Sequence, residues 1–513
     1  MNSTDRTEQP ALRRRSFVTI SLAAVGGAIV GAGATWGGLQ LVPAQKPADE
    51  KSDSQPSEDD DEIKVHRFVS TALTLPVVKA WATDGAQLSP GYTFLSPRDS
   101  ILTGAIIDSS GEPIWIAPNG VDTTDVRVQT YKGKPVLTFW EGRVASGNGH
   151  GTGRILDTSY TEIAAVHGGH GAIPDLHEFH LTDRDTALVT TYPVARLDLS
   201  SVGGPTDGYA FACRVQEIDI ATGRVLVDWN ILDDIALDES KKRIDDDDDT
   251  TGTSPEKAFD PIHVNSIDDD GDRLLISCRH TCALYAINRT TGALLWRLGG
   301  TKSDVEMGEG TEFSWQHDAR WRENSRISLF NNAGVKGDGA VSSGLILRLD
   351  EEAMTAELDT TLTYGEYEGY AMGNTQLLED GHAMVGWGSA PAVTEFDADG
   401  TAIAGFTEVG AGSYRAYRFP WTGEPTTIPD LATMSVDGTS TAFMSWNGAT
   451  RVDSWALLAG SDASELSSVA TAKRSGFETA IEIPDAKTAA FLQVEARDAD
   501  GTALGRSRVV ATR

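Results

Sequence analysis

The stretch A-I-N-R-T-T-G-A-L-L-W, Ala286 to Trp296, decides the fold. Two apolar runs flank an Asn-initiated turn that closes on Gly, the pattern of a tight β-hairpin. Five looser copies accompany it: I-I-D-S-S-G-E-P-I-W (Ile106 to Trp115), R-I-L-D-T-S-Y-T-E-I (Arg154 to Ile163), E-I-D-I-A-T-G-R-V-L (Glu217 to Leu226), L-R-L-D-E-E-A-M-T-A (Leu347 to Ala356) and T-E-F-D-A-D-G-T-A-I (Thr394 to Ile403). The turn-initiating residues are Asp108, Asp157, Asp219, Asn288, Asp350 and Asp397, spaced by 49, 62, 69, 62 and 47 residues. A further apolar strand precedes most hairpins, as in P-V-L-T-F-W, A-L-V-T-T-Y, L-L-I-S-C, I-S-L-F-N and A-M-V-G-W. That makes about four strands per unit. The reading is all-β, with six four-stranded units repeated radially as a six-bladed β-propeller over residues 64–425.

After Pro420 the pattern changes. Short alternating strands run to Arg513, including S-W-A-L-L-A, F-E-T-A-I-E-I and F-L-Q-V-E-A-R-D, with no His or Cys among them. Residues 426–513 therefore read as a fibronectin- or immunoglobulin-like β-sandwich.

At the other end, Arg13-Arg14-Arg15-Ser16-Phe17-Val18 opens a Gly/Ala-rich apolar run reaching Val42. Residues 1–44 read as a twin-arginine export signal, the alternative being an N-terminal membrane anchor. Either reading places the folded part outside the cytoplasm, secreted or held at the cell envelope. Residues 45–63 are charged and almost free of large apolar side chains, which predicts a disordered acidic linker. The run Asp245 to Asp249 reads as a solvated loop insertion.

The 513 residues carry a formal net charge of −32, which excludes a phosphate-binding surface and hence nucleic acid as a partner. Solubility accounts for the acidity, and a local Arg/His cluster can still hold a small anion. Of three cysteines, Cys278 and Cys282 look to share a strand. Four steps at roughly 3.3 Å would put them too far apart to bridge, and Cys213 is left as a partner for either.

The histidines bunch. Eight of ten lie between His150 and His317. Five of these sit in D-L-H-E-F-H (Asp175 to His180), D-P-I-H-V-N-S-I-D (Asp260 to Asp268), S-C-R-H-T (Ser277 to Thr281) and Q-H-D-A-R (Gln316 to Arg320), beside predicted strands. This points to one site built from several strand ends. His66, His150, His167, His170 and His382 lack such context and read as surface or structural. Trp296 and its repeated T-G-x-L-x-W setting read as packing between units.

In this order, and with L-W-R-L-G-G, G-W-G (Gly386 to Gly388) and S-Y-R-A-Y-R-F-P-W (Ser413 to Trp421), these motifs resemble the bacterial arylsulfate sulfotransferase family from roughly Val65 to Trp421. The resemblance implies a six-bladed propeller. It implies transfer of a sulfuryl group from a phenolic sulfate ester to another phenol, with no nucleotide sulfate donor, no cofactor and no metal. The family nucleophile falls on His317, with His263, His177 and Arg279 as further catalytic residues. Arg320, His280 and Asn265 are the candidate substrate contacts, and Asp318 or Glu178 the candidates for fixing imidazole tautomers. This chain departs from the best-known branch by carrying its sandwich after the propeller.

The residue types suit the reaction. Sulfuryl transfer spreads charge over three peripheral oxygens, as phosphoryl transfer does. A neutral imidazole can hold the group covalently, a guanidinium offers a fork for the oxygens, and a second histidine can move the phenol proton. Strand alternation would put Arg279 and His280 on opposite faces unless the strand has ended, which favours Arg279. A non-catalytic propeller binding a ligand or envelope partner competes with this reading. A quinone-dependent dehydrogenase, which shares the T-G-x-L-x-W repeat, lacks support in a vicinal cysteine pair or a calcium-ligand cluster. The test is geometric: His177, His263, Arg279 and His317 must meet at one central place.

Overall fold

The computed structural model describes residues 63–512, except 119, 146, 245–249 and 485–488. The expected export signal and the Asp245–Asp249 loop lie outside the described residues, as does all but the end of the expected acidic linker. Among the described residues the chain is all-β, with only four short 3₁₀ turns.

Six sheets each contain a run of four neighbouring antiparallel strands. Their first strands are Asp122–Tyr131, Pro174–Leu181, Val264–Asp269, His317–Arg322, Asn374–Leu377 and Ser413–Phe419. The six turn-initiating residues read from the sequence all lie at the last position of a sheet's third strand or directly after it, where the chain turns into the fourth. Their side chains make the turns: Asp157 Oδ1 accepts from Ser159 N and Thr161 N, Asp397 Oδ1 from Asp399 N and Thr401 N, and Asn288 Oδ1 from Thr290 N and Thr291 N. Such an Asx turn satisfies amides that the reversal would leave unpaired.

The sixth sheet joins the two ends of the repeat region. Its first strand, Ser413–Phe419, pairs with Tyr92–Pro97, which continues through Ala105–Ile107 to Pro113–Ile116. In the fifth sheet, Lys79–Ala82 adds to the outer strand Ala402–Thr407.

The first strands touch in cyclic order, each against the next and the sixth against the first. Six apolar clusters follow the same cycle. One joins the third and fourth sheets through Leu284, Trp296, Leu329 and Leu347. Another joins the sixth and first through Phe94, Trp115, Leu137 and Phe139. Trp296 is buried there and donates Nε1–H to Glu351 Oε1 (2.7 Å), so its apolar body packs while its one donor is satisfied.

Two further sheets follow. Asp430–Val436, Thr439–Ser445 and Glu478–Glu482 form one. Ser467–Lys473, Ser454–Gly460 and Phe491–Arg497, extended by Ala503–Arg506, form the other. They share a core containing Met444, Trp455, Ile481 and Val494. Asn447 fastens this module to the sixth sheet by accepting from Ile116 N and donating to Ile116 O, both at 2.9 Å.

Where the first strands converge, charge replaces hydrocarbon. Arg415 sits 2.8 Å from Asp125 and 3.2 Å from Asp318; Arg127 and Arg320 reach Glu178 at 2.6 and 2.7 Å; Arg320 reaches Asp318 at 2.7 Å. Three arginines face three carboxylates from four sheets, all deeply buried. Arg415 also donates to the carbonyls of His177 (3.0 Å) and Asn265 (2.8 Å), and Arg320 to that of Ile267 (2.8 Å). These bonds tie inner strands that belong to different sheets and share no ladder.

Removing one member leaves its partners charged and dry, a loss of about 3–5 kcal/mol. Arg415→Ala should therefore lower unfolding stability by that amount in denaturant titrations. A change under about 1 kcal/mol would contradict the role given to the layer.

Candidate active site

The predicted residues gather at the N-terminal ends of the first strands. His177 lies in the second sheet's first strand, His263 immediately precedes the third's, and His317 opens the fourth's. Ladder register shifts at the start of these strands, between Pro174 and Phe179, Val264 and Ser266, and His317 and Arg320. Such bulges re-aim side chains relative to simple alternation. His263, Trp315, Asp318 and Met372 all have φ between 53° and 63°. Non-glycine residues hold this conformation only where surrounding contacts over-determine it, and they concentrate at functional sites.

The His177 and His263 rings meet edge to face at 4.5 Å between centroids, and His263 stacks on His280 at 4.7 Å. The strand Arg273–Cys278 ends before Arg279, so alternation no longer separates Arg279 from His280: Arg279 NH1 donates to His280 Nε2 at 3.0 Å. Arg279 lies over the Trp315 ring at 4.9 Å and donates NH2 to Tyr370 O at 3.0 Å. The same turn separates Cys278 from Cys282, which therefore do not share a strand. All three cysteines are free and buried.

Each histidine is oriented through Nδ1. His177 Nδ1 donates to Asp175 Oδ1 in a very short bond, and His263 Nδ1 donates to Asp260 Oδ2 at 2.6 Å. His280 Nδ1 donates to Asp260 O at 2.7 Å. His317 Nδ1 donates to Asn332 Oδ1 at 2.8 Å and faces Trp315 O at 3.1 Å. The acceptors fix the Nδ1–H tautomer and leave the lone pair on Nε2. In His317 that lone pair receives Met372 N–H at 3.2 Å.

Burial acts in one direction on His263, His280 and His317. Burial pushes His263 down to about 4, with Asp260 opposing and His177 and Arg279 assisting. Burial also holds His317 well below the ordinary histidine value, with Arg279 as the next cause. His280 is depressed in the same way, by burial first. Arg279 is itself lowered to about 10 by burial. No carboxylate lies within ion-pair distance of it among the described residues.

Other expectations are corrected. The orienting groups are Asp175, Asp260 and Asn332; Asp318 and Glu178 belong to the axial ion layer. Arg320 is committed to that layer and to Ile267 O, so it does not reach the histidines. His180, bunched with His177 in sequence, points to the opposite end of the strand, where burial and Arg127 lower it to about 3. Asn265 donates to Gln316 O at 2.6 Å and leaves its buried Oδ1 without a protein partner. Tyr414 also belongs to the site's frame, its hydroxyl donating to His177 O at 2.9 Å. The carboxylates two residues before His177 and three before His263 were the legible signal for the orienters; Asn332 had none.

Asp260, His263 and His280 bring three ligating atoms within 4.8 Å of one another, the donor set of a transition-metal site. In this arrangement Asp260 is engaged in hydrogen bonds to both histidines.

Residues 127–408 match the arylsulfotransferase (ASST) family. The chain belongs to that family. At the family level this makes it a sulfotransferase, with aryl sulfates and phenols as small-molecule substrates. No curated protein sequence matches it significantly. Among solved structures it is similar to a protein of unknown function from Bacteroides caccae (13% identity, TM-score 0.38, covering 64% of this chain and 98% of that one). It is also similar to a putative 6-phosphogluconolactonase from Bacteroides fragilis (10% identity, TM-score 0.34, 66% and 100% covered) and to apo AztD from Citrobacter koseri (12% identity, TM-score 0.28, 66% and 99% covered). These likenesses are loose and carry no functional argument.

The depressed histidines set a pH dependence. Below an unfolded value near 6.5 the unfolded chain binds protons that the folded site refuses. Stability is therefore full above about pH 6.5 and falls as pH drops toward each folded value, by about 1.4 kcal/mol per pH unit per histidine. Unfolding midpoints at pH 7.5 and 5.0 should differ strongly, and His317→Asn should flatten the slope by one proton. A pH-independent midpoint would contradict the neutral assignments.

Proposed function

We propose that this arylsulfotransferase-family chain is an exported, six-bladed β-propeller enzyme that works through a sulfohistidine on His317. Residues 64–425 form the propeller and 426–513 a β-sandwich. Residues 1–44 direct export or anchor the chain at the envelope, followed by the acidic linker 45–63. The cyclic contact of first strands and the six clusters between consecutive sheets support the propeller reading.

One observation carries the assignment of roles: the histidines differ in what holds Nδ1. His177 and His263 rest on carboxylates, which stabilise an imidazolium, so they suit proton transfer. His317 rests on a neutral amide near the unpaired charge of Arg279. It stays an uncharged imidazole with a lone pair on Nε2, which suits a nucleophile.

In the first half-reaction His317 Nε2 bonds to sulfur as the bond from sulfur to the aryl oxygen breaks. Arg279, steadied by His280 and Trp315, neutralises the sulfuryl oxygens. In the second half-reaction His263 or His177 takes the proton of the acceptor phenol through Nε2. The phenol oxygen attacks sulfur and the bond from sulfur to nitrogen breaks. The carboxylate-backed imidazolium then supplies the proton that the next leaving phenolate takes up. The phenol needs only modest help, its pKa being near 10.

In the resting arrangement the segment Gly369–Met372 covers this place. It accepts from Arg279 at Tyr370 O and from Asn332 at Met372 O (3.0 Å), and it caps His317 Nε2. A bound sulfate ester makes the same kinds of bond, so substrate entry displaces this segment.

Incubation with 4-nitrophenyl sulfate followed by mass spectrometry should add roughly 80 Da to wild type and nothing to His317→Ala, and added phenol should remove the adduct. Arg279→Lys should retain the adduct site but lose about 10²–10³ in kcat. Absence of both adduct and nitrophenol release across several aryl sulfates would favour a non-catalytic binding propeller.

A further inference from the structure

A large cavity lies at the opposite end of the ring from the histidines. It measures about 720 Å³ and is lined by the C-terminal ends of the first strands, among them Arg127, His180, Arg320, Arg322 and Arg418. The axial ion layer separates it from the catalytic cluster, because Arg127 and Arg320 contribute to both the layer and the cavity wall.

Arg322 is the distinctive group. Its Nε donates to Ser328 Oγ at 2.9 Å, and NH2 lies 3.4 Å from Thr375 O. No carboxylate lies within ion-pair distance of it among the described residues, so a largely buried guanidinium faces the cavity without a direct ion pair, and Asp268 in the same wall acts on it only from farther away. Two more donors in the wall are incomplete: the buried Nε atoms of Arg127 and Arg418 have no protein partner. His180 Nδ1 is also unpartnered, and its neutral imidazole can accept or donate. Buried polar groups without partners are rare and call for a ligand or water.

Val128, Leu181, Leu377 and Phe419 give the wall an apolar side, beside the neutral polar Ser89, Gln129, Thr130 and Gln376. Acids bound what can enter. Asp268 is buried in the wall, where its Oδ2 accepts Trp321 N at 2.7 Å, and Asp183, Glu379 and Asp380 stand exposed at the rim. A multiply charged anion would meet that rim and the overall negative field; a singly charged one with an apolar body meets the arginines and the hydrocarbon together.

We propose that this cavity is a second binding site, specific for a small organic monoanion with a carboxylate or sulfonate head on Arg322 and an apolar body against Leu181 and Phe419. The site stands without the catalytic reading. It has a route to the histidines, since Arg127 and Arg320 both hold Glu178, the neighbour of His177.

The probe is 4-iodobenzenesulfonate, soaked into crystals of the full chain, with iodine located by anomalous diffraction. An iodine peak in this cavity, with the sulfonate toward Arg322, is the expected result. Iodine only at the histidines, or only on the outer surface, overturns the proposal. Calorimetry of wild type against Arg322→Gln should show one binding event lost or weakened at least tenfold; an unchanged isotherm also overturns it. Should Arg322→Gln fail to fold, the wild-type diffraction result decides alone. A peak at the histidines without one here would leave the sulfotransferase reading standing and remove this one.

Discussion

The ring depends on the charge layer at its axis. Six first strands approach there, yet neighbours belong to different sheets and share no backbone ladder. A purely apolar axis would leave the carbonyls of His177, Asn265 and Ile267 unsatisfied. Arg415 and Arg320 donate to those three carbonyls. The guanidinium fork does this well because one group reaches a carbonyl on one strand and a carboxylate on another. Balancing three arginines with three carboxylates keeps the layer neutral, which is the condition for burying it.

The same layer sets the chemistry on either side of it. Above it, Arg415 and Tyr414 fix the backbone of His177, so the imidazoles inherit their placement from the axis. Arg279 stands beyond the layer with no carboxylate within ion-pair distance among the described residues, and its field helps keep His317 neutral. Below it, Arg127 and Arg320 turn their remaining edges toward the large cavity. One set of buried charges thus partitions the ring into two ends with different ligand chemistry.

The repeat was legible because its turn is a local event. An Asp or Asn side chain that caps its own hairpin leaves a mark in sequence, and all six marks fall where a third strand turns into a fourth. The joining of Ser413–Phe419 with Tyr92–Pro97 left no such mark, since it pairs segments more than 300 residues apart. The site was legible in part. His177, His263, Arg279, His280 and His317 do meet, and the motifs named them. What failed was assignment by adjacency. Asp318 and Glu178 flank histidines in sequence but serve the axis, and Arg320 follows them, because a strand sends successive side chains to opposite sides. His180 fails by a related route: three residues beyond His177 along an extended strand lies about 10 Å away, at the other end of the ring.

The covering segment Gly369–Met372 follows from the same electrostatics. A guanidinium without a counter-ion and an imidazole lone pair are both costly to leave unpaired under burial. Backbone groups can satisfy both without adding charge, as Tyr370 O and Met372 N do here. A carboxylate in that place would bind Arg279 more tightly and would repel a sulfate ester. A neutral peptide is weak enough to be displaced by an anion, because a charged acceptor makes the stronger bond to a guanidinium. Under the proposed assignment of roles, the site is closed by groups that an incoming sulfuryl oxygen would outcompete. That preference arises because, among the described residues, no carboxylate lies within ion-pair distance of Arg279, in a chain that carries 75 acids.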